Sequence, residues 1–232
     1  MYKLALMLAA RVIFLNQDDI NEFSSRGILK PKNASLLGGI GVDLAEWVNT
    51  NPIQNPVTFI LSARLLREKG VVDFVDAAKK VKSMYPETRF ILLGGLDPNP
   101  SSLSLDEVAG WARSGVIEWP GHVEVKPWLA QASVFVLPSY YREGIPRSSQ
   151  EALAMSLPII TTDSVGCKET VVNGVNGYLV PIKNVDAIVE KMTLFVKNPD
   201  LILEMGRQSR IIAEQKFSEK DKIIAQLQFL KC

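Results

Sequence analysis

Cysteine and histidine are nearly missing from this sequence. Its 232 residues hold two cysteines, Cys167 and Cys232, and one histidine, His122. Two thiols cannot build a disulfide framework, and such sparing use of cysteine fits a reducing compartment. A single histidine excludes a multi-histidine metal site. Cys167 has no histidine partner to activate it, so it is not read as a nucleophile, and His122, after Gly121, reads as a loop contact rather than a base. An excess of one charge sign is also lacking. Lys plus Arg number 26 against 25 Asp plus Glu, a net charge of +1, so no global field recruits nucleic acid or an acidic membrane. Long hydrophobic runs are absent as well. The nearest is MYKLALMLAARVIFL at residues 1–15. Lys3 and the apolar run to Ala10 imitate a secretory leader, but Arg11 stops the run well short of the roughly 20 residues a spanning helix needs. Apolar residues then continue to Leu15 without a cleavage pattern, which reads as a cytosolic helix leading into a buried strand, with a surface membrane contact near this end still open. There is no internal repeat, no low-complexity segment, no GxxxxGK[ST] loop, and no GxGxxG following a strand.

What is there is an ordinary soluble composition, 47% hydrophobic and 22% charged, in a chain long enough for one large domain or a domain plus a fragment. Short apolar runs alternate with stretches of helical periodicity. Strands are expected at 12–15, 34–37, 57–62, 90–93, 116–119, 134–137, 159–162 and 177–180. Residues 2–10 read as the end of a helix, and further helices are expected from Asn16–Asp19 through Phe23, and over 70–85, 105–114, 128–132, 185–196, 200–217 and 219–230, with one more carrying Glu151. Continuous rather than alternating apolar strands imply burial on both faces. The fold class is therefore α/β, a Rossmann-like doubly wound parallel sheet. The Asn- and Pro-rich run NTNPIQNP, residues 49–56, is the best boundary, dividing the chain into residues 1–50 and 51–232. Gly38, Gly39 and Gly41 before Asp43 suggest a turn that side chains could not occupy. The Asn173-Gly174 and Asn176-Gly177 pairs read as turn formers.

In such sheets ligands bind beyond the carboxyl ends of the strands, at a switch point. Four loops therefore stand out: 63–70, 94–99, 120–126 and 139–147. The first, ARLLREKG, places Arg64, Arg67 and Lys69 before a helix, where a pyrophosphate would meet fixed cations and backbone N–H groups; a solvated basic loop explains the same letters. The last leads into EGIPRSSQE, residues 143–151, within VFVLPSYYREGIPRSSQEALAMSLPIITT. A fully helical spacing would separate Glu143 from Glu151 by about 12 Å. Pro146 suits a first helical turn, which leaves Glu143 in the loop and Glu151 on the helix, one for each end of an elongated ligand. Carboxylates accept paired sugar hydroxyls well. The N–H groups of Gly144, Ile145 and Arg147 are available to phosphate oxygens. Two surface glutamates would be the plainer explanation.

In this order and spacing, SARLLREKG, GGIGVDL and the stretch from Val134 to Val180 resemble the donor-binding half of a family-4 retaining glycosyltransferase with the GT-B fold. The resemblance runs from about Val12 to the C-terminus, and residues 143–151 match the family's Glu-x7-Glu motif. It implies that Arg64 and Lys69 bind the pyrophosphate, that Glu143 contacts the donor sugar as the catalytic carboxylate, and that Glu151 holds the ribose hydroxyls. It also places Gly144 and Ile145 where amides meet the diphosphate or sugar, Val123 near the base, and Gly41 near the interdomain crossing. The implied donor is a nucleotide sugar, a UDP-hexose or UDP-N-acetylhexosamine first, with no cofactor and no essential metal. The implied acceptor is a glycan or polyprenyl-linked glycan at the cytoplasmic face of the plasma membrane, in polysaccharide or lipid-linked glycan biosynthesis.

The match departs from the family in one respect. Residues 1–50 correspond only to the last units of the N-terminal, acceptor-binding domain, so that domain or a partner chain is expected to complete the enzyme. An excised piece, a gene fragment and one half of a split enzyme all fit. Alone the chain would then be inactive, and a non-catalytic nucleotide-sugar-binding subunit is the alternative function. An NAD-dependent oxidoreductase fits the sheet but not the loops. Residues 1–50 are also expected to expose an apolar face that drives self-association.

Overall fold

The computed structural model of the protein describes Leu6, residues 9–48 and residues 51–230. Most of the helix expected over residues 2–10, with its leader or membrane contact, and the first two residues of the 49–56 boundary lie outside the described residues. No helix among the described residues is long and apolar enough to cross a membrane.

Two parallel sheets are present. The smaller pairs β1 (Val12–Phe14) with β2 (Ala34–Leu36), joined through helix α1 (Gln17–Ser25). The larger contains β3 (Thr58–Ser62), β4 (Arg89–Leu93), β5 (Glu118–Gly121), β6 (Val134–Leu137), β7 (Ile159–Thr162) and β8 (Gly177–Val180), in the order β5-β4-β3-β6-β7-β8, parallel throughout. Helices α2 (Val71–Met84), α3 (Leu105–Arg113), α4 (Lys126–Leu129), α5 (Arg147–Ala154), α6 (Val185–Lys197), α7 (Asp200–Lys216) and α8 (Glu219–Leu230) follow in chain order.

Strands β3, β6 and β7 are buried at every position. Successive side chains of a strand point to opposite faces, and here both faces are apolar and covered. Phe59, Leu61, Val134 and Val136 enter one core with Phe74, Phe90, Ile188 and Phe195. Ile60, Phe135, Leu137 and Ile159 enter the other with Leu153, Met155, Ile212 and Phe217. Phe90 stacks on Phe59 at a centroid distance of 5.3 Å and meets Phe74 edge-on at 6.1 Å. Helix starts follow local capping. Asn16 caps α1, Asn184 caps α6, and Ser104 forms a full capping box with Glu107 at α3.

Two elements are displaced along the chain at both ends from the sequence expectation, the other described ones differing by at most two residues at an end. Strand β5 is Glu118–Gly121 rather than 116–119, so the loop after it starts at His122. Pro120 lies within it, which an edge strand tolerates because that position need not donate to a neighbour. The short helix α4 begins at Lys126 rather than Trp128, because Pro127 fits its first turn, where no N–H is required.

The sheet order changes direction between β3 and β6, whose crossovers leave to opposite sides. The loops leaving these two strands press together. Gly70, at φ 73°, ends the 3-10 turn Arg67–Lys69, and a Cβ there would sit 2.2 Å from the carbonyl oxygen of Pro138. Gly70→Ala therefore combines a left-handed conformation with a backbone collision. The expected loss is at least ~2 kcal/mol of stability in urea unfolding. A near-neutral Gly70→Ala would show that the two loops are not held this closely.

Residues 38–43 run from the small sheet into the C-terminal crossing. Val42 N–H donates to the Phe217 carbonyl at 2.9 Å, and Glu219 N–H donates to the Val42 carbonyl at 3.0 Å. Gly38, Gly39 and Gly41 all have positive φ, and a Cβ on Gly41 would lie 2.7 Å from Glu219 Cα. Ile13, Leu36, Ile40 and Val48 are exposed in this first part of the chain. Light scattering is expected to show dimers or larger species at high concentration, and a clean monomer would contradict an adhesive face there.

Candidate functional site

The crevice beyond the carboxyl ends of β3 and β6 holds one ion pair that joins the two loops. Lys69 Nζ, from the loop after β3, donates to Glu143 Oε1, from the loop after β6. Both side chains are nearly enclosed, 12% and 11% exposed. Ser139 Oγ donates to the same carboxylate oxygen at 3.2 Å and stands 3.1 Å from the Glu68 carbonyl. The N–H groups of Tyr140 and Tyr141 donate to that carbonyl at 2.9 and 3.0 Å. The Tyr141 ring lies 5.2 Å from Lys69 Nζ, a cation–π contact that adds to the charge's restraint. The result is an ammonium, a carboxylate and an aromatic face held at one strand-end crevice.

The other cations of the ARLLREKG loop point elsewhere. Arg64 is 58% exposed and its Nη1 donates to Asp97 Oδ2 at 3.1 Å, toward the loop after β4. Arg67 pairs with Glu107 at 2.6 Å, on the side of α3. Arg64 also lines a cavity of about 150 Å³ with Gly94, Gly95, His122 and Val123. Thus Lys69 and Glu143 are brought together, whereas Arg64 and Val123 flank a neighbouring hollow.

Glu151 occupies a third place, on α5. Its carboxylate accepts from Arg147 Nε at 3.0 Å, the i,i+4 geometry of a helix face, and is 13% exposed. Burial pushes its pKa above the ordinary carboxyl value, and the Arg147 hydrogen bond and charge oppose that rise. Helix α5 starts at Arg147 with Pro146 at its cap position, and the first N–H groups of a helix lack intrahelical partners. The N–H groups of Gly144, Ile145 and Arg147 donate to no other described residue. They lie between Glu143 and Glu151 along the chain, as donors for an anion.

Cys167 is fully buried, and burial pushes its thiol pKa up, opposite to an activated nucleophile. Asn176 is buried and bonds Val172 N–H and the Thr170 carbonyl, a structural role in its turn. Sequence reasoning missed Ser139, Tyr141 and the side chain of Arg147 as parts of the site. Only Arg147 carried a readable signal, its i,i+4 spacing to Glu151. Gln150 was missed as well: it is fully buried, accepts from Gly41 N–H at 2.9 Å and donates to the Ile145 carbonyl at 3.1 Å. It ties the crossing to the loop that follows Glu143.

The family model described as Glycosyl transferases group 1 matches residues 45–212. One similar curated protein is the N,N'-diacetylbacillosaminyl-diphospho-undecaprenol alpha-1,3-N-acetylgalactosaminyltransferase of Campylobacter jejuni. It is 30% identical over 241 residues, covering 97% of this chain and 61% of that protein. Another is the capsular polysaccharide biosynthesis glycosyltransferase CapM of Staphylococcus aureus, 24% identical over 232 residues, covering 95% of this chain and 61% of that protein. The chain thus spans 61% of the length of each of these relatives. Among solved structures, Anabaena HepE in complex with UDP and glucose superposes with a TM-score of 0.83 at 19% identity, covering 99% of this chain and 66% of that one. At that identity the likeness speaks for the fold.

Proposed function

The chain belongs to the glycosyl transferases group 1 family, and from that premise we propose that it is the donor-binding half of a retaining glycosyltransferase of the GT-B type. It takes a hexose or N-acetylhexosamine from a nucleotide sugar, UDP-linked first, and the completed enzyme passes it to a glycan or polyprenyl-linked acceptor. The observation that carries this reading is the Lys69–Glu143 contact across the β3 and β6 loops, at the switch point of the sheet. The names of the Campylobacter and Staphylococcus relatives support lipid-linked glycan or capsular polysaccharide synthesis. UDP and glucose in the HepE complex support the donor class.

In this proposal Lys69, Arg64 and the N–H groups of Gly144, Ile145 and Arg147 stabilise the charge that builds on the departing diphosphate. Fixed donors of this kind act on the transition state without an essential metal. Glu143 meets the sugar hydroxyls, Glu151 the ribose hydroxyls, and Val123 the base. Residues 1–50 contribute the end of the acceptor domain and residues 51–232 the donor domain, with the enzyme working at the cytoplasmic membrane face. Calorimetric titration with UDP tests the proposal: saturable binding is expected, and a well-folded protein that binds none of UDP, GDP or ADP overturns it.

A second reading, a nucleotide-sugar-binding subunit that turns nothing over alone, is favoured by one observation. Lys69, Glu143 and Glu151 all lie within a chain spanning 61% of the relatives' length. Hydrolysis of labelled donor by the chain alone would decide for an enzyme, and binding without turnover for the subunit.

Glu151 gives a pH signature. Its folded pKa is raised, so its contribution to stability is complete below the unfolded value and is lost as pH rises through the folded one. A ribose that needs the carboxylate draws the other way, and its affinity is lost as pH falls through the raised pKa. UDP-glucose, whose diphosphate does not titrate in the carboxyl range, is expected to bind progressively more weakly as pH falls through that raised value. Glu151→Gln should bind more weakly and lose most of that slope. An unchanged slope in the variant would remove Glu151 from the ligand.

A further inference from the structure

We propose that Asn16, a residue of the small-sheet unit, is a positioning residue that sets the two amide donors of the Glu143 loop. The proposal deepens the donor-site reading above and rests on it. Asn16 is 1% exposed. Its Oδ1 accepts from Asp19 N–H at 2.8 Å, the cap of α1, which fixes which end of the amide is which. Its Nδ2 is therefore the donor. It donates to the Glu143 carbonyl at 3.1 Å and the Gly144 carbonyl at 2.9 Å, and stands 2.9 Å from Asp19 Oδ2.

A peptide group is planar and trans, so its C=O and N–H point in opposite directions. The Glu143 carbonyl shares its peptide with Gly144 N–H, and the Gly144 carbonyl with Ile145 N–H. Drawing both carbonyls to Asn16 turns both N–H groups away from it. These N–H groups donate to no described residue, and they are two of the donors assigned above to the diphosphate or sugar.

The surroundings hold the same arrangement. A Cβ on Gly144 would lie 2.5 Å from Leu15 Cδ1, and one on Gly166 would lie 2.5 Å from both carbonyl oxygens. The loop is pressed between Leu15 and Gly166, with Asn16 supplying the polar contact. Outside this contact, Arg142 pairs with Asp19 at 2.6 Å and with Glu22, and Lys168 pairs with Asp18 at 2.9 Å. These outer pairs join the units without touching the two carbonyls. The inner one controls peptide orientation.

Asn16→Ser tests this, because serine keeps a capping oxygen for α1 but loses the amide donor. Asn16→Asp, which also caps but sets an anion against the two carbonyls, is the second variant. Each is titrated with UDP and with UMP, and with the GDP and ADP pairs. UMP lacks the outer phosphate, so it reports folding and the base and ribose contacts. The expected result is a ~tenfold or greater loss for the diphosphate with monophosphate affinity close to wild type, and a lowered melting temperature from the two carbonyls left without their donor. Equal loss for both nucleotides, or no loss for either, overturns the positioning role while leaving the donor-site reading intact. Wild-type protein that binds no nucleotide diphosphate overturns both. If neither variant folds, the wild-type Gly144 and Ile145 amide resonances decide: both shift with UDP and not with UMP if they are the donors, and unmoved resonances overturn the proposal.

Discussion

Glu143→Gln is expected to lower sugar transfer by the completed enzyme at least ~100-fold while leaving UDP affinity unchanged or higher. The reason is that Lys69 donates to Glu143. A diphosphate arriving there competes with the Glu143 carboxylate for the ammonium. Glutamine keeps the shape and a weaker acceptor but gives up the charge, so Lys69 is freer to meet phosphate. The transferring sugar, in contrast, loses the anion proposed to meet its hydroxyls. Binding and turnover should therefore separate, with UDP dissociation constants measured on the chain and transfer rates on the completed enzyme. A parallel fall in both would mean that Glu143 serves binding alone, and unchanged transfer would place the chemistry elsewhere.

Lys69→Met should act on the opposite side of the pair. It removes a nearly enclosed cation from the crevice, and UDP affinity is expected to drop ~100-fold. It also strands the Glu143 carboxylate, 11% exposed, with Ser139 Oγ as its remaining hydrogen-bond partner among the described residues. Leaving one partner of a buried pair uncompensated costs about 3 kcal/mol, so urea unfolding should show a loss of that order. The double variant Lys69→Met/Glu143→Gln removes both charges. It should recover most of the stability and none of the affinity, which separates phosphate binding from the integrity of the loops. Recovery of binding in the double variant would show that Lys69 only neutralises Glu143 and does not touch the ligand.

The sheet was readable from the sequence because its strands are unbroken apolar runs. Runs such as Val134–Leu137 and Phe59–Leu61 leave no choice of face, and burial on both sides follows. Boundaries shifted at two prolines, Pro120, which edge strand β5 admits, and Pro127, which starts α4 earlier than its apolar residues suggest. The candidate site was readable in part. Strand-end loops and charge named Lys69, Glu143 and Glu151, but not which cation meets which acid. Arg64, Arg67 and Lys69 lie within six positions of one another and diverge to Asp97, Glu107 and Glu143. That divergence depends on the 3-10 turn ending at Gly70, which no periodicity signals. Asn16 was readable only as a helix cap. Its bonds to Glu143 and Gly144 span more than half of the chain, and local pattern carries no trace of such a contact.

A crystal structure of the protein with a bound UDP-sugar bears most directly on the central claim. The diphosphate is expected between Lys69 and the start of α5, with the sugar at Glu143 and the ribose hydroxyls on Glu151. A nucleotide seated instead at the amino ends of the strands, beside Pro56 and Tyr85, or one reaching Glu151 while the Lys69–Glu143 pair remains closed, would contradict it.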